Sequence, residues 1–164
     1  MKAFDIEHVK NATNMIFARE ALDGMLLVEA DINVLVNYSI DGHLNKGFLT
    51  EEEKKETGYQ NEYVRWAEVR SRCYDIIKGK KLPVGMKFVF KLPKEHVPRF
   101  LQRNGLEDIK PETVTGLFMN IKFENNALTC VTGTALSTFT VGDRRVEDAW
   151  DEEIKKFLNQ LDHE

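Results

Sequence analysis

Cysteines are scarce in this sequence and long apolar runs are missing, and each shortage excludes a class of protein. Only two cysteines, Cys73 and Cys130, occur in 164 residues, each within an apolar-periodic segment. A disulfide framework needs more cysteines in a secreted chain, so we expect both thiols to be buried and chemically inert. No window approaches the roughly 18 consecutive apolar residues of a membrane-spanning helix. The chain is therefore expected to be globular and soluble, with no membrane partner.

An excess of charge of either sign is also missing. The chain has 23 basic and 27 acidic residues, a net charge of −4, so no global field draws it toward nucleic acid or anionic lipid. Binding to nucleic acid would require a local basic patch. The segment Met1–Asp5 lacks the apolar core of a signal peptide, and we expect a cytoplasmic protein.

The sequence contains none of the common catalytic or cofactor motifs. It has no phosphate-binding Gly-x-x-x-x-Gly-Lys, no dinucleotide fingerprint and no Gly-x-Ser-x-Gly. The four histidines do not pair at helical spacing or with a nearby cysteine. The acidic runs at residues 51–53 and 151–153 fall in first turns of predicted helices, where the helix dipole explains them. We predict no metal and no cofactor, and favour a protein that is not an enzyme.

Apolar periodicity predicts an α+β fold with several antiparallel strands. We expect the chain to reverse near Asp31–Asn33 and at Asp41-Gly42, the second being a strong hairpin signal. A further turn is expected at Asn125-Asn126. The predicted strands cover residues 1–6, two or three segments within 25–44, and residues 86–92, 115–124, 127–132 and 136–141.

Two of the predicted helices have clear sequence signatures. Thr50 and Glu53 fit a capping box, in which each side chain bonds the backbone N–H of the other residue. The last helix has an apolar face that includes Trp150, and we expect that face to pack on the rest of the chain. Helices are predicted at about residues 7–18, 50–58, 61–78, 93–103 and 143–162.

Weakly similar segments follow one another in the same order in the two halves of the chain. Met1-Lys2 matches Met86-Lys87, and Glu7-His8-Val9 matches Glu95-His96-Val97, with further matches at slowly growing offsets. Each half is predicted to contain a strand, a helix and a meander of strands, with the same strand order. We expect one domain with a first repeat (about 1–49), a helical insertion (about 50–82), a second repeat (about 84–141) and a C-terminal helix (about 143–162).

The chain resembles two kinds of known protein. The segments Leu26–Ala30, Ile40–Lys46 and Ala149–Asp151 resemble an uncharacterised family of small bacterial proteins with no assigned function, which implies no activity. Gly116–Ile121 and Ala127–Thr134 are similar to half of a DNA sliding-clamp domain, whose unit is a strand, a helix and a three-strand meander. Two such units make one clamp domain. The predicted insertion, the last helix and the sparse basic residues of the first helix depart from the clamp pattern.

Basic side chains are the candidate binding residues. We predict a non-enzymatic binding or interaction module of clamp-like architecture, whose sheet edges or basic helix faces meet a protein or a nucleic acid. The net charge disfavours nucleic acid, and self-association stays open. The alternative is a small enzyme or ligand-binding protein whose polar residues converge only in three dimensions. The candidate residues are Lys94, Arg99 and Arg103 on one helix and Arg70, Arg72, Lys78, Lys80 and Lys81 around the end of another, where a solvated helix end is the simpler interpretation.

Overall fold

The computed structural model describes residues 1–138 and 142–163, which form a mixed α+β structure. Five α-helices accompany a seven-stranded antiparallel sheet in this part of the chain. The strands are β1 (Ala3–Ile6), β2 (Leu26–Asn33), β3 (Asn37–Asp41), β4 (Val64–Arg65), β5 (Gly85–Lys91), β6 (Val114–Glu124) and β7 (Ala127–Leu136). The α-helices are α1 (Val9–Thr13), α2 (Glu51–Thr57), α3 (Trp66–Ile77), α4 (Val97–Arg103) and α5 (Arg145–His163).

The sheet has the order β1-β7-β6-β5-β2-β3, and β4 pairs with β2 beyond the end of β3. β6 and β7 form a long hairpin around Asn125 and Asn126, whose φ angles are 53° and 63°. Asparagine tolerates this left-handed region, and two consecutive positive φ values are typical of a tight hairpin turn. The turn predicted at this position is therefore confirmed.

The first hairpin reverses later than the sequence predicted. β2 continues through Asp31 and Asn33, and the turn lies at residues 34–36, directly after the place where the reversal was expected. Leu35, at the tip of this turn, is 99% exposed. The apolar residues Leu35 and Val36 are typical of a strand, but in this turn their side chains are exposed.

Asp41-Gly42 ends β3 but is not a hairpin turn, which corrects the second expected reversal. The Gly42 N–H donates to the carbonyl of Val28 and its carbonyl accepts from Val64, both at 2.8 Å. A Cβ at position 42 would lie 1.8 Å from the carbonyl oxygen of Leu27. Glycine is needed here because two backbone segments approach closely, and such an approach leaves no local sequence signal.

Most predicted helices are found, with altered limits. α2 has the predicted capping box, with Thr50 Oγ1 accepting from the Glu53 N–H and the Glu53 carboxylate accepting from the Thr50 N–H. α1 continues into a π-helical turn, Asn14–Ala18. α3 begins at Trp66 instead of near residue 61, because the preceding two residues pair with β2 as β4. The segment expected to be a helical insertion thus adds a strand to the sheet.

β7 is one strand where two were predicted. It runs without a break from Ala127 to Leu136 and pairs with β6 and β1. The second predicted strand, residues 136–141, lies partly outside the described residues.

One face of the sheet packs against the helices. In β5 the side chains of Met86, Phe88 and Phe90 are buried, whereas Lys87 between the first two is exposed. This alternation is expected of an antiparallel strand with one solvated face. Trp66 of α3 contacts Phe88 and Phe90 at ring-centroid distances of 5.7 and 5.1 Å. Burial of each such side chain stabilises the fold by about 1.5–3 kcal/mol.

The two halves share the order of elements but not the strand pairing. A strand, a helix and two strands occur in sequence from β1 to β3 and again from β5 to β7. In the second half the first strand pairs with the strand after the helix, β5 with β6. In the first half β1 instead pairs with β7, and β2 pairs with β5. The expectation of one strand order in both halves is wrong, because β5 occupies the edge of β2 that β1 would need.

Candidate functional site

The basic residues around α3 are largely engaged in local contacts. Arg70 forms two hydrogen bonds with the carboxylate of Asp23, at 2.8 and 3.3 Å, and both side chains are mostly buried. Lys78 pairs with Asp75 at 2.9 Å. Arg72 is exposed and donates to the carbonyl of Glu68. Arg70 therefore anchors α3 to the loop before β2, where Asp23 lies. The remaining predicted residues, Lys80 and Lys81, lie exposed beyond the helix end.

Arg103 of α4 is held by an acidic residue of α5. Its guanidinium forms a two-pronged contact with the Glu153 carboxylate, with N–O distances of 2.5 and 2.6 Å. Asn104 also donates to Glu153, at 2.9 Å. Hydrogen bonding to Glu153 raises the pKa of the Arg103 guanidinium, which stays charged in any case. The geometry fixes α4 against α5 and orients Arg103.

Arg99 lies one turn before Arg103 and has no such partner. Within residues 1–138 and 142–163 its side chain forms no hydrogen bond or ion pair, and it is exposed. The Lys94 side chain is also exposed and forms no ion pair with any described residue, while its backbone N–H donates to Asn61 Oδ1 at 3.1 Å. Lys94 precedes α4, and Arg99 and Arg103 lie on it. Among the described residues, Arg103 is paired with a carboxylate, and the charges of Arg99 and Lys94 are available to a ligand.

Arg99 and Arg103 border a cleft between α4, α5 and the loop before β2. The cleft has a volume of about 360 Å³, and His96 lies on its rim beside the two arginines. The Trp150 indole is fixed in its wall because the ring N–H donates to the carbonyl of Phe118 at 2.8 Å. Most of the other lining residues are apolar: Ala21, Leu22, Met25, Leu92, Met119, Trp150, Ile154 and Phe157. Glu153 also lines the cleft, so two arginines and one carboxylate border an apolar recess.

A larger cavity of about 760 Å³ lies between the end of β3, α2 and the start of α3. Asp41 and His43 line it, and the Asp41 carboxylate contacts both the backbone N–H and ring Nδ1 of His43 at 2.9 Å. These contacts, the backbone one first, lower the pKa of Asp41. The His43 ring also packs on Tyr63, with centroids 4.4 Å apart. The tautomer that donates Nδ1–H to Asp41 leaves Nε2 as the acceptor nitrogen of the ring.

Sequence reasoning missed the Asp41–His43 pair. The only available signal was the Asp-x-His spacing, and it was obscured because Asp41-Gly42 reads as a hairpin turn. Lys54 and Glu68 line the same cavity from α2 and α3. These residues come from separate elements, so their proximity depends on the tertiary structure.

Both cysteine thiols are free and buried, as expected from the sequence. Burial raises the pKa of Cys73 to about 11 and that of Cys130 to about 12. Thiols with such values are almost fully protonated at neutral pH, so neither is an activated nucleophile.

The described residues contain no cluster of three or more His, Cys, Asp or Glu side chains arranged to hold a metal ion. Among the helices of residues 1–138 and 142–163, none has both the length and the apolar character needed to cross a membrane.

Comparisons with known proteins identify a family but bring no activity. Neither a search of the curated proteins nor a search of the solved structures found a match. A scan against family models matched residues 15–164. This range contains β2–β7 and α2–α5, whereas β1 and α1 precede it. The chain therefore belongs to the family described as a family of unknown function (DUF5721).

Proposed function

We propose that this protein is a non-enzymatic binding module that takes an anionic group with an apolar body into the cleft between α4 and α5. The observation that carries this proposal is the guanidinium of Arg99, which pairs with no other described residue and lies beside an apolar recess. Arg103 supplies a second, fixed positive charge, partly neutralised by Glu153. Arg99 is thus the residue with an unused charge to offer a ligand.

The cleft suits a small amphipathic anion. Its volume of about 360 Å³ lies within the range of small-molecule sites, which combine apolar walls with a few polar groups. Arginine pairs well with the planar carboxylate group, and charge-assisted hydrogen bonds are stronger than neutral ones. A carboxylate at Arg99 with a hydrocarbon body against Trp150 and Phe157 would use both parts of the cleft.

Calorimetric titration with octanoate, using 1-octanol as the uncharged control ligand, tests this proposal. We expect Arg99→Gln to weaken octanoate binding by about tenfold or more, the effect of losing a hydrogen bond to a charged group, and to leave octanol binding unchanged. Arg72→Gln is the matched control, since Arg72 lines neither cavity. Equal octanoate affinity in Arg99→Gln and wild type, or no octanoate binding by wild type, would contradict the proposal.

A clamp-like role on DNA has less support. The repeated order of elements favours it, and Lys94 and Arg99 are exposed on or near α4. Against it, Arg103 is paired with Glu153 and the two halves pair their strands differently. We also infer a cytoplasmic location, because two free cysteines are expected in a reducing compartment.

An enzymatic role is a second candidate, supported by the Asp41–His43 pair at the larger cavity. His43 would accept a proton from a bound group at Nε2 while Asp41 holds the ring. The pair is well exposed to solvent, with side-chain exposures of 54% for His43 and 79% for Asp41, and water around it weakens its electrostatic effect. For this reason the binding module is the better supported proposal.

A further inference from the structure

The strand β3 forms an open edge of the sheet. It pairs with β2 on one side, and among the described residues no strand pairs with its other side. Natural edge strands are usually protected by lysine, proline, a bulge or a covering element. β3 has the sequence Asn-Tyr-Ser-Ile-Asp, without lysine or proline, and four of its five residues are exposed. This edge is therefore available for another strand.

The hydrogen bonds of the first hairpin identify which backbone groups point outward. The Gly42 N–H bonds to Val28 and the Val34 N–H bonds to Val36, which marks 28–42 and 34–36 as hydrogen-bonded pairs. Such pairs alternate with non-bonded pairs along an antiparallel ladder. The pairs 29–41, 31–39 and 33–37 are therefore non-bonded. The N–H and C=O groups of Asn37, Ser39 and Asp41 consequently face away from β2.

We propose that two copies of this chain pair through β3, antiparallel and centred on Ser39. In this register Ser39 faces Ser39 of the partner subunit, and Asn37 faces Asp41 of the partner subunit. All three outward-facing residues then meet outward-facing residues, which allows six backbone hydrogen bonds across the interface. A shift of the register by two residues leaves only two matched pairs. The edge is thus self-complementary, as a two-fold interface requires.

The side chains agree with the same register. No like charges are opposed, because the only charged residue of β3, Asp41, lies opposite an asparagine amide. Tyr38 and Ile40, which point to the helix-covered face beside the buried Ile32 and Ala30, would form cross-strand pairs with each other. Apolar cross-strand pairs that include an aromatic ring each contribute to sheet stability.

The turn at the tip of the hairpin supports a second copy as the occupant. Continuing the register places the exposed Leu35 and Val36 of one copy opposite His43 and Gly42 of the other, where the larger cavity opens. These two apolar side chains are 99% and 55% exposed in the single chain, and pairing would remove them from water. A second copy therefore covers the exposed apolar tip and the open edge together.

Sedimentation at increasing protein concentration tests the pairing. We expect the mean mass to rise from 19.0 kDa toward the mass of two chains. Ser39→Pro removes the outward N–H, which proline tolerates at an edge facing solvent, and should leave a folded monomer. Ser39→Ala is the matched control, because it also loses the hydrogen bond to Asp31 but keeps the N–H, and it should dimerise like wild type. A monomer at every concentration, or a dimer that persists in Ser39→Pro, would overturn the proposal.

Cross-linking tests the register without relying on the proline variant. In the proposed pair the two Ser39 Cα atoms lie about 5.5 Å apart, which a disulfide can span. Oxidised Ser39→Cys should therefore form a covalent dimer, since the native thiols are buried. Leu35→Cys, although more exposed, should not cross-link to itself, because that register separates the two positions by roughly 27 Å at about 3.4 Å per residue. Equal cross-linking of the two variants would contradict this register.

Discussion

Arg99 and Arg103 lie one helical turn apart on α4, yet their surroundings give them different roles. Arg103 is held by Glu153, fifty residues away in sequence. Arg99 forms no ion pair with any described residue and borders the same cleft. A sequence pattern assigns both residues to one basic helix face. The difference between them depends on an acidic residue of another helix, which only the fold brings close.

At the same scale, the buried Cys130 predicts a pH dependence of stability. Its pKa rises from 9.0 to about 12 in the folded state. Below pH 9 the thiol is protonated in both states, so burial has no effect on proton binding. Above pH 9 the unfolded chain loses a proton that the folded chain keeps, so this thiol lowers the free energy of unfolding as the pH rises toward 12.

Denaturant unfolding of wild type and Cys130→Ala at pH 8 and pH 10 measures this effect. From the lower to the higher pH, wild type should lose about 1.4 kcal/mol more stability than the variant, the value for one group one unit above its unfolded pKa. In parallel, N-ethylmaleimide should not label folded wild type at neutral pH. Identical pH slopes for the two proteins would show that Cys130 ionises as readily when folded as when unfolded.

At the scale of elements, α5 is the helix whose packing was clearest from sequence. Its predicted apolar face is confirmed, since Val146, Trp150, Ile154 and Leu158 are all buried. A buried hydrogen bond from Thr132 of β7 to Asp151 also joins the helix to the sheet. The helix is therefore attached to the sheet by an apolar stripe and by the polar contacts of Asp151 and of the Trp150 indole.

Trp150→Ala tests the contribution of this face. The ring is 3% exposed and packs edge-on against Phe100 at 5.8 Å, so its removal leaves a cavity and removes the hydrogen bond to the Phe118 carbonyl. We expect the free energy of unfolding to fall by about 3–5 kcal/mol in chemical denaturation. Lys156→Ala, at an exposed position of the same helix, should change it by less than about 0.5 kcal/mol. A similarly small change for Trp150→Ala would mean that the face is not packed in solution.

At the scale of the whole molecule, charge and pairing argue against a protein that encircles DNA. The net charge is −4, and the structure neutralises both Arg70 and Arg103 through carboxylates. Within the described residues, the sheet ends at β1 on one side and at β3 on the other, so it presents different strands at its two edges.

Binding to duplex DNA should therefore be weak. If Lys94 and Arg99 make the remaining phosphate contacts, the log-log salt slope should be about −1.8. Fluorescence anisotropy titrations at low and moderate salt measure this salt slope. The double variant Lys94→Gln, Arg99→Gln is the control, because it lacks both phosphate contacts and should show no salt slope. Submicromolar, salt-sensitive binding that is lost in the double variant would contradict this expectation and support a DNA-binding function.

The sequence by itself determined the features that depend on neighbouring residues. The α2 capping box, the Asn125-Asn126 turn and the apolar face of α5 each arise from residues within a few positions of one another, and so does the burial of both cysteines in periodic apolar segments. Their energies are local, so the patterns that encode them can be read without the fold.

Only the tertiary structure decided the strand pairing and the sites. Three contacts join residues that are far apart in sequence. They are the pairing of β1 with β7, the close backbone approach that requires Gly42, and the contact of Arg103 with Glu153. Such contacts depend on competition among many similar strands and charges for the same partners. No local pattern records the outcome of that competition, because burial of the whole core selects one arrangement among them.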